Sequence, residues 1–303
     1  MNIPFSSAGG VEKILSLALP QDSPKAVIQL THGMAEHYSR YRELAEFLAA
    51  RGFVLAGYDL LGHGADTPKD KLGWFGQNDG WQKLVDDMHM VHAILTNRFP
   101  DTRHMMLGHS MGSFLTREYV IEHGNEQLDG IILSGTAWMP PALLNLVYPV
   151  TALICSTGGG RKPSQLLNKL IFDKNNKAFA PSRTMYDWIS SDEDQVDLYV
   201  EDPLCGFVFT GCGFKDLIFG LKQLAKVERL DRIPKDLPVL FISGKEDPVG
   251  GKQAEGPKKV ADQYKNAGIT DITLQLYDNG RHEMFNEANR EEVMQNLLAW
   301  LER

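Results

Sequence analysis

The stretch "LGHSMGS", residues 107–113, places a serine between two glycines in the spacing Gly-X-Ser-X-Gly. Residues 104–109 predict a strand and residues 111–124 predict a helix, so Ser110 lies at a strand-turn-helix junction. Small neighbouring residues allow the sharp, strained turn that projects a hydroxyl over a sheet edge, and the helix N-terminus behind it favours negative charge. This setting favours a nucleophilic serine over a plain glycine-rich turn.

On both sides of this turn, short apolar runs alternate with amphipathic stretches. We predict strands at 25–33, 53–60, 104–109, 130–135, 238–244 and 272–280. We predict helices at 41–52, 81–99, 111–124 and 257–268, followed by a C-terminal helix through Trp300. This order predicts an α/β protein whose mostly parallel sheet is covered by helices on both faces.

One interval, residues 137–230, interrupts the alternation. It carries stretches such as "QLLNKLIF" and "EDQVDLYV" and shows no strand-helix repeat. We therefore predict a mainly helical cap, inserted between a first part of the core, residues 1–136, and a second part, residues 231–303. Such an insertion lies above the C-terminal ends of the strands, where open α/β sheets place their sites.

A nucleophilic serine needs a histidine to accept its proton, and that histidine needs a carboxylate to orient it. Asp247 follows the predicted strand at 238–244, and His282 follows the predicted strand at 272–280. Both loops open at the same sheet edge as Ser110. We therefore predict a catalytic set of Ser110, His282 and Asp247, in the chain order serine, acid, histidine that such sheets use.

Other residues compete for these roles. Glu246 and Asp278 are alternative acids, and His109 adjoins the serine, although neighbouring side chains in a strand or tight turn point apart. We favour Asp247 as the acid and expect a structural role for His109. The run "HEMFN" at 282–286 lacks the second histidine of a zinc protease motif, and no other spacing predicts a metal site.

Acyl transfer also needs two N–H donors directed at the developing oxyanion. The backbone amide of Met111, directly after the nucleophile, is one candidate. The other is the amide of Met34 in the loop "HGMAEHYSRY", where Gly33 leaves room for a close approach. The alternative for this loop is a helix entry without a catalytic part.

Composition narrows the classes of partner. The net charge of −8 gives no basic surface for nucleic acid or anionic lipid, so a small molecule is the expected partner. The first 20 residues lack the features of a secretory signal, which predicts a cytoplasmic protein. The longest apolar stretch, residues 140–155, is shorter than the roughly 20 residues of a membrane span, so we predict a lid or buried helix there.

The three cysteines are Cys155, Cys205 and Cys212. They form neither an even set nor a closely spaced pair, so we expect reduced, structural thiols.

Five stretches carry a resemblance to a known family: "THGMAEHYSRY", "YDLLGHGAD", "LGHSMGS", "SGKEDPVG" and "GRHEMFNE". In this order and spacing the chain resembles the α/β-hydrolases that include monoacylglycerol lipases and lysophospholipases of the serine aminopeptidase S33 group. The resemblance implies an α/β-hydrolase fold over nearly the whole chain. It also implies the three catalytic residues and two amide donors given above, and a reaction without a cofactor.

The same resemblance implies that Glu36, His37, Arg40 and the run Asp59–Gly64 form a scaffold around the site. Two positions depart from the family pattern. Ser113 stands where a second glycine is usual, and Asp66 stands where a serine is common. Both lie outside the catalytic set, so we expect them to affect packing and pocket detail.

We expect a serine hydrolase that cleaves carboxylic esters through an acyl-enzyme, with a monoacylglycerol or a lysophospholipid as its substrate. The apolar cap suits an acyl chain and allows transient contact with a membrane. A small-ester carboxylesterase, an aminopeptidase that uses cap acids at 193, 194 and 197, and a catalytically silent binding protein are the alternatives. The sequence leaves the oligomeric state open.

Overall fold

The computed structural model describes residues 1–124 and 126–303. Within them, eight strands form one sheet. The strands are β1 (Asn2–Ser6), β2 (Glu12–Ala18), β3 (Ala26–Thr31), β4 (Phe53–Gly57), β5 (Arg103–His109), β6 (Gly130–Ser134), β7 (Val239–Gly244) and β8 (Ile272–Tyr277). The helices are α1 (Arg42–Ala49), α2 (Gly80–Arg98), α3 (Met111–His123), α4 (Pro141–Ile154), α5 (Gln165–Phe172), α6 (Glu193–Glu201), α7 (Gly211–Leu224), α8 (Glu255–Asn266) and α9 (Arg290–Leu301).

The sheet runs in the order β1-β2-β4-β3-β5-β6-β7-β8, and all neighbours from β4 to β8 are parallel. Strands β3, β4, β6 and β7 are buried at every residue, as expected of parallel strands covered on both faces. The six predicted strands and the mostly parallel sheet are therefore confirmed. Their carboxyl ends meet at one edge, where the loops that follow β3, β5, β7 and β8 come together.

The first two strands were not among our predictions. β1 and β2 pair antiparallel with each other, and β2 pairs antiparallel with β4. Buried and exposed residues alternate along β2, which is the pattern of a strand with one covered face. The hairpin extends the sheet at the end away from the site.

Two hydrophobic layers hold the helices on the sheet. On one face, α1 and α9 pack through side chains such as Leu48, Leu297 and Trp300. On the other face, α2, α3 and α8 pack through side chains such as Leu84, Leu115 and Val260. Because burial of each such side chain contributes about 1.5–3 kcal/mol, these layers fix the strand ends that carry the loops.

Helices α4 to α7 and the turns between them fill the interval 137–230. Helix α5 spans residues 165–172, a stretch for which the sequence alone did not separate a helix from irregular structure. Helix α7 packs on α4 above and also on α2 and α3 below, where Gly220 lies directly against the ring of Trp81. The interval is thus tied to the core through α7.

The expectation that all three cysteines are reduced is wrong for two of them. Cys155, which directly follows α4, and Cys212 in α7 form a disulfide, whereas Cys205 is a free thiol. The two partners are 57 residues apart in the chain, so no local spacing indicates the pair. The packing of α4 on α7 brings them together.

The apolar stretch at α4 is also longer than we predicted. The helical run continues past Cys155, because a π-type turn extends it to Gly159. Within the described residues, Pro141–Gly159 is long and apolar enough, by length and composition, to cross a membrane, with 19 residues and a mean hydropathy of 1.4. Only 11% of this window is buried. One side of α4 packs on α7, and the disulfide holds its end. Because most of the window is exposed, α4 is an apolar helix on the surface of the cap rather than a core helix.

Candidate active site

The turn after β5 holds Ser110 in a strained backbone conformation. Its φ of 52° and ψ of −118° are unusual for a residue with a side chain. Gly108 and Gly112 make this turn possible, because a Cβ on Gly112 would collide with the carbonyl oxygen of Thr31, and one on Gly108 with that of Gly112. The Ser110 N–H donates to the Ser134 carbonyl (2.9 Å). The hydroxyl is thereby directed into the cavity below the cap.

The structure brings the three predicted side chains together. His282 Nε2 lies 2.9 Å from Ser110 Oγ, and His282 Nδ1 lies 2.9 Å from Asp247 Oδ2. The other oxygen of Asp247 accepts the backbone N–H of Val249 (2.8 Å), which fixes the carboxylate. This chain of contacts lets a proton move from Ser110 to His282 while Asp247 orients the ring.

The pKa values of the two histidines at the site are shifted in opposite directions. Burial acts against a charged imidazole at His282, but the Asp247 carboxylate outweighs it and raises the pKa of His282 above its usual value. The ring of His109 lies 4.8 Å from that of His282. Burial, with the neighbouring His282 adding to it, lowers the pKa of His109 to about 4. His109 therefore stays neutral, and its ring packs beside that of His282.

The competing acids lie elsewhere. Glu246 is exposed, and Asp278, whose side chain is 80% exposed, pairs with Lys245 Nζ at 2.7 Å. Neither is placed against the histidine as Asp247 is.

The loop after β3 brings its backbone next to the serine. A Cβ on Gly33 would lie 3.2 Å from Ser110 Cβ, so glycine permits the close approach. The Gly33 N–H donates to Glu36 Oε1 (2.6 Å), and the following Ala35 adopts a φ of +54°. Met34 and Met111 both line the cavity at the serine. Their backbone amides therefore stay the predicted donors for an oxyanion.

One buried cation links this loop to the histidine loop. Arg40 donates to Glu36 Oε2 (2.8 Å) and makes two hydrogen bonds with Glu283, of 2.8 and 2.6 Å. Burial acts against the charge on Glu36, but Arg40 lowers the pKa of Glu36 to about 2. The Tyr41 hydroxyl also donates to Glu36. Glu283 directly follows His282 in the chain, so the network couples the position of Gly33 to that of His282.

Sequence reasoning placed Glu36 and Arg40 in the scaffold but gave Glu283 no role. Its signal was present in the motif "GRHEMFNE", since an acid beside a buried histidine needs a partner. That partner, Arg40, is 243 residues away in the chain.

The cap also contacts both loops. The Ala35 carbonyl accepts the Gly206 N–H (2.9 Å) and the Tyr199 hydroxyl (3.0 Å). The Glu283 N–H donates to the Ile189 carbonyl (2.8 Å). The ring of Trp188 lies 5.1 Å from that of His282. The cap is therefore part of the wall around Ser110 and His282.

A cavity of about 770 Å³ lies between core and cap, with Ser110 and His282 in its wall. Apolar side chains from α3, α5, α7 and two loops of the cap line much of it, namely Phe114, Met139, Ile171, Phe172, Phe207, Leu217 and Leu221. The cap segment 173–184 contributes a different wall, with Lys174, Asn175, Asn176, Ser182 and Thr184. The acids in the lining are Glu36, Asp173 and Glu283, and two of these already pair with Arg40.

The remaining predicted positions lie around the site. Ser113 is buried and its hydroxyl donates to the Ser110 carbonyl (2.6 Å), whereas Asp66 is exposed. His37 pairs with Asp202 of the cap (2.8 Å), and Asp59 accepts the Tyr38 N–H (2.8 Å). The cap acids Glu193 and Asp197 pair with Arg183 on the outer surface.

Known proteins resemble this chain over nearly its whole length. The chain is 25% identical to the monoacylglycerol lipase of Mycolicibacterium smegmatis, over 98% of this chain and 95% of that protein. It is 26% identical to human monoglyceride lipase, over 93% of this chain and 84% of that protein. A thermostable carboxyl esterase from Bacillus coagulans, solved with glycerol, superposes with a TM-score of 0.92 at 27% identity, covering 100% of this chain and 97% of that one.

The family model of serine aminopeptidase S33 matches residues 22–289. This match covers most of the core and the whole interval between β6 and β7. The predicted α/β-hydrolase fold and family resemblance are therefore confirmed, and the chain belongs to the serine aminopeptidase S33 family of α/β-hydrolases.

Proposed function

We propose that this ester hydrolase cleaves lipid monoesters, with monoacylglycerols as its preferred substrates, through an acyl-enzyme on Ser110. The observation that carries the proposal is the largely apolar cavity that leads to a serine hydroxyl 2.9 Å from a buried histidine. The monoacylglycerol lipases among its relatives support the choice of substrate.

In the first step Ser110 Oγ attacks the ester carbonyl carbon, and its proton passes to His282 Nε2. The C–O bond to the alcohol then breaks, and His282 returns the proton to the leaving oxygen. In the second step water loses a proton to His282 and attacks the acyl carbon. The bond between the acyl carbon and Ser110 Oγ then breaks, His282 returns the proton to Ser110 Oγ, and the fatty acid leaves. Asp247 holds His282 in the tautomer that both steps require.

The amides of Met34 and Met111 stabilise the oxyanion that forms in each step. Met111 begins α3, so its N–H is one of the free donors at a helix N-terminus. The Met34 amide follows Gly33, whose own N–H is held by Glu36. Two such donors, preset in a water-poor site, contribute more in the transition state than in the ground state.

The apolar wall suits the acyl chain, because each buried methylene contributes about 0.8 kcal/mol. The polar segment 173–184 suits the alcohol, since its amides and hydroxyls can bond to glycerol oxygens. Lys174 in the same lining favours a lysophospholipid as the second candidate, because a cation can pair with its phosphate. Arg183 contributes less, since it already pairs with Glu193 and Asp197.

The outer face of the cap suits a lipid surface. Leu146 and Leu153 of α4 are 72% and 62% exposed, and Leu166 and Leu170 of α5 are 68% and 61% exposed. Such a patch can enter a membrane interface transiently, where the substrate is dissolved. Flotation with phosphatidylcholine vesicles, compared with Leu146→Ser, tests this contact.

The test of substrate class is the hydrolysis of p-nitrophenyl esters from acetate to palmitate, beside 1-monoacylglycerol and lysophosphatidylcholine. We expect kcat/KM to rise with chain length and to be higher for monoacylglycerol than for the lysophospholipid. Activity confined to acetate and butyrate would make the protein a small-ester carboxylesterase. Higher activity on lysophosphatidylcholine would favour the second candidate.

An aminopeptidase is less well supported. It would need a free carboxylate for the substrate amine, but Glu36 and Glu283 are neutralised by Arg40, and the cap acids Glu193 and Asp197 pair with Arg183. Among the acids of the described cavity lining, this leaves Asp173 to bind an amine. Turnover of an amino-acid p-nitroanilide at a rate comparable to that of the esters would reverse this ranking.

A further inference from the structure

A cluster of histidines lies far from the proposed active site. His89 in α2 and His123 at the end of α3 stack their rings at 4.2 Å, with an angle of 10° between the planes. Glu126 follows α3 and faces both. Since α3 begins after Ser110 and its 13 residues span about 20 Å, the cluster is too distant to touch a reacting ester.

The ligand atoms of these side chains converge. Nδ1 of His89 lies 3.2 Å from Glu126 Oε2, and Nδ1 of His123 lies 3.3 Å from Glu126 Oε1. In a tetrahedral zinc site with bonds of about 2.0–2.2 Å, neighbouring ligand atoms are about 3.3–3.6 Å apart. The two nitrogen–oxygen separations are therefore already close to those that a bound ion requires.

The local hydrogen bonding leaves a nitrogen free for such an ion. Nδ1 of His89 is buried and, among the described residues, has no hydrogen-bond partner, because its approach to Glu126 lacks the required direction. The Tyr119 hydroxyl donates to Glu126 Oε2 (3.2 Å) and so helps to orient the carboxylate. An outer partner of this kind is common around metal-binding carboxylates.

A second group, His37, Asp202 and Cys205, also has converging atoms but suits a cation less well. His37 already bonds to Asp202 through Nε2 and to Ser39 through Nδ1, both at 2.8 Å. Burial raises the pKa of the Cys205 thiol, although the Arg40 charge opposes this. The thiol thus stays protonated, and the Arg40 charge nearby disfavours a further cation.

We propose that His89, His123 and Glu126 form a binding site for a divalent transition-metal ion of the zinc type, which joins α2 to the C-terminal end of α3. Two imidazoles and one carboxylate are a donor set that zinc accepts, with water in the fourth position. The ion would add a link between two helices that pack on each other and share a hydrogen bond from Gln82 to Glu122 (2.8 Å). This site is independent of the proposed function.

The experiment uses full-length, tag-free protein that has been stripped with EDTA and is kept without reductant. Zinc chloride is titrated into it by calorimetry, and thermal unfolding is recorded with and without zinc. We expect one ion per chain, a higher Tm with zinc, and binding at least about tenfold weaker in His89→Gln and His123→Gln. The matched control is Glu122→Gln, which removes an adjacent carboxylate of α3 and should bind like the wild type.

Three results would overturn the proposal. One is the absence of zinc binding to the wild type. Another is binding that persists in both His89→Gln and His123→Gln. The third is binding that is lost in His37→Gln instead, which would assign the ion to the second group. Circular dichroism of each variant tests whether it is folded, so that loss of the ion can be separated from unfolding.

Discussion

The core and the cap enclose the same cavity, but they are held together differently. In the core, the parallel strands β5, β7 and β8 carry loops in which Ser110, Asp247 and His282 lie within hydrogen-bond distance of each other. In the cap, four leucines of α4 and α5 are more than 60% exposed, and a disulfide ties α4 to α7. If the proposed function is correct, the core supplies the reacting groups and the cap selects the molecule that reaches them.

The largest effect should come from the core. Ser110→Ala removes the attacking oxygen, so we expect kcat for an ester to fall by roughly 10⁴-fold or more with the fold unchanged. Its matched control is Ser113→Ala, three residues on, whose hydroxyl bonds only to the Ser110 carbonyl and should leave most of the activity. Similar rates for the two variants would refute Ser110 as the nucleophile.

The next effect tests the connection between the loops. Arg40→Met leaves Glu36 and Glu283 buried without their cation, so the free energy of unfolding should fall by about 3–5 kcal/mol, and kcat/KM should fall with it. Arg42→Met changes a side chain that is 85% exposed and should stay within about 0.5 kcal/mol of the wild type. Urea unfolding of both variants measures the difference. Equal free energies of unfolding would show that the network does not stabilise the fold.

The third prediction concerns the cap. A disulfide that closes a loop across 57 residues stabilises the chain by about 4 kcal/mol or less through the entropy of the unfolded state. We expect Cys155→Ser with Cys212→Ser to lower Tm while Ser110 keeps its reactivity toward a short ester. Thiol titration of denatured, unreduced protein should count one thiol, from Cys205. A count of three would mean that the disulfide does not form.

The smallest effect is a shift in pH dependence. The base must be neutral to accept a proton, so activity should fall as the pH drops through the pKa of His282. Asp247 is the main group that raises this pKa, and Glu283 adds to it. Glu283→Gln should therefore move the acidic limb of the kcat/KM profile to lower pH, whereas the exposed Glu291→Gln should not. A shift to higher pH would contradict the sign of this coupling.

The core and the cap also differ in how far sequence predicts them. Strand and helix patterns identified the six parallel strands because each is a short apolar run bounded by turns. They also placed Ser110, Asp247 and His282 at strand ends, where the structure brings them together. Local patterns carry this information because parallel strands must align their ends.

What the sequence missed depends on contacts between distant residues. The partners of the disulfide and of the Arg40–Glu283 pair are 57 and 243 residues apart. No helical or strand period connects such pairs, since only the folded packing brings them together. Strands β1 and β2 were missed for another reason, because an edge hairpin with one exposed face has a weaker apolar pattern.

The contacts of the Ala35 carbonyl limit how this enzyme can be re-engineered. That oxygen accepts hydrogen bonds from Gly206 and Tyr199 of the cap, and Ala35 itself belongs to the loop beside Ser110. A cap transplanted from a relative would therefore alter the loop that holds the Met34 amide. Chimeras that exchange residues 32–40 together with the cap should keep their turnover, whereas chimeras that exchange the cap alone should lose it. Cap and loop should therefore be exchanged as one unit.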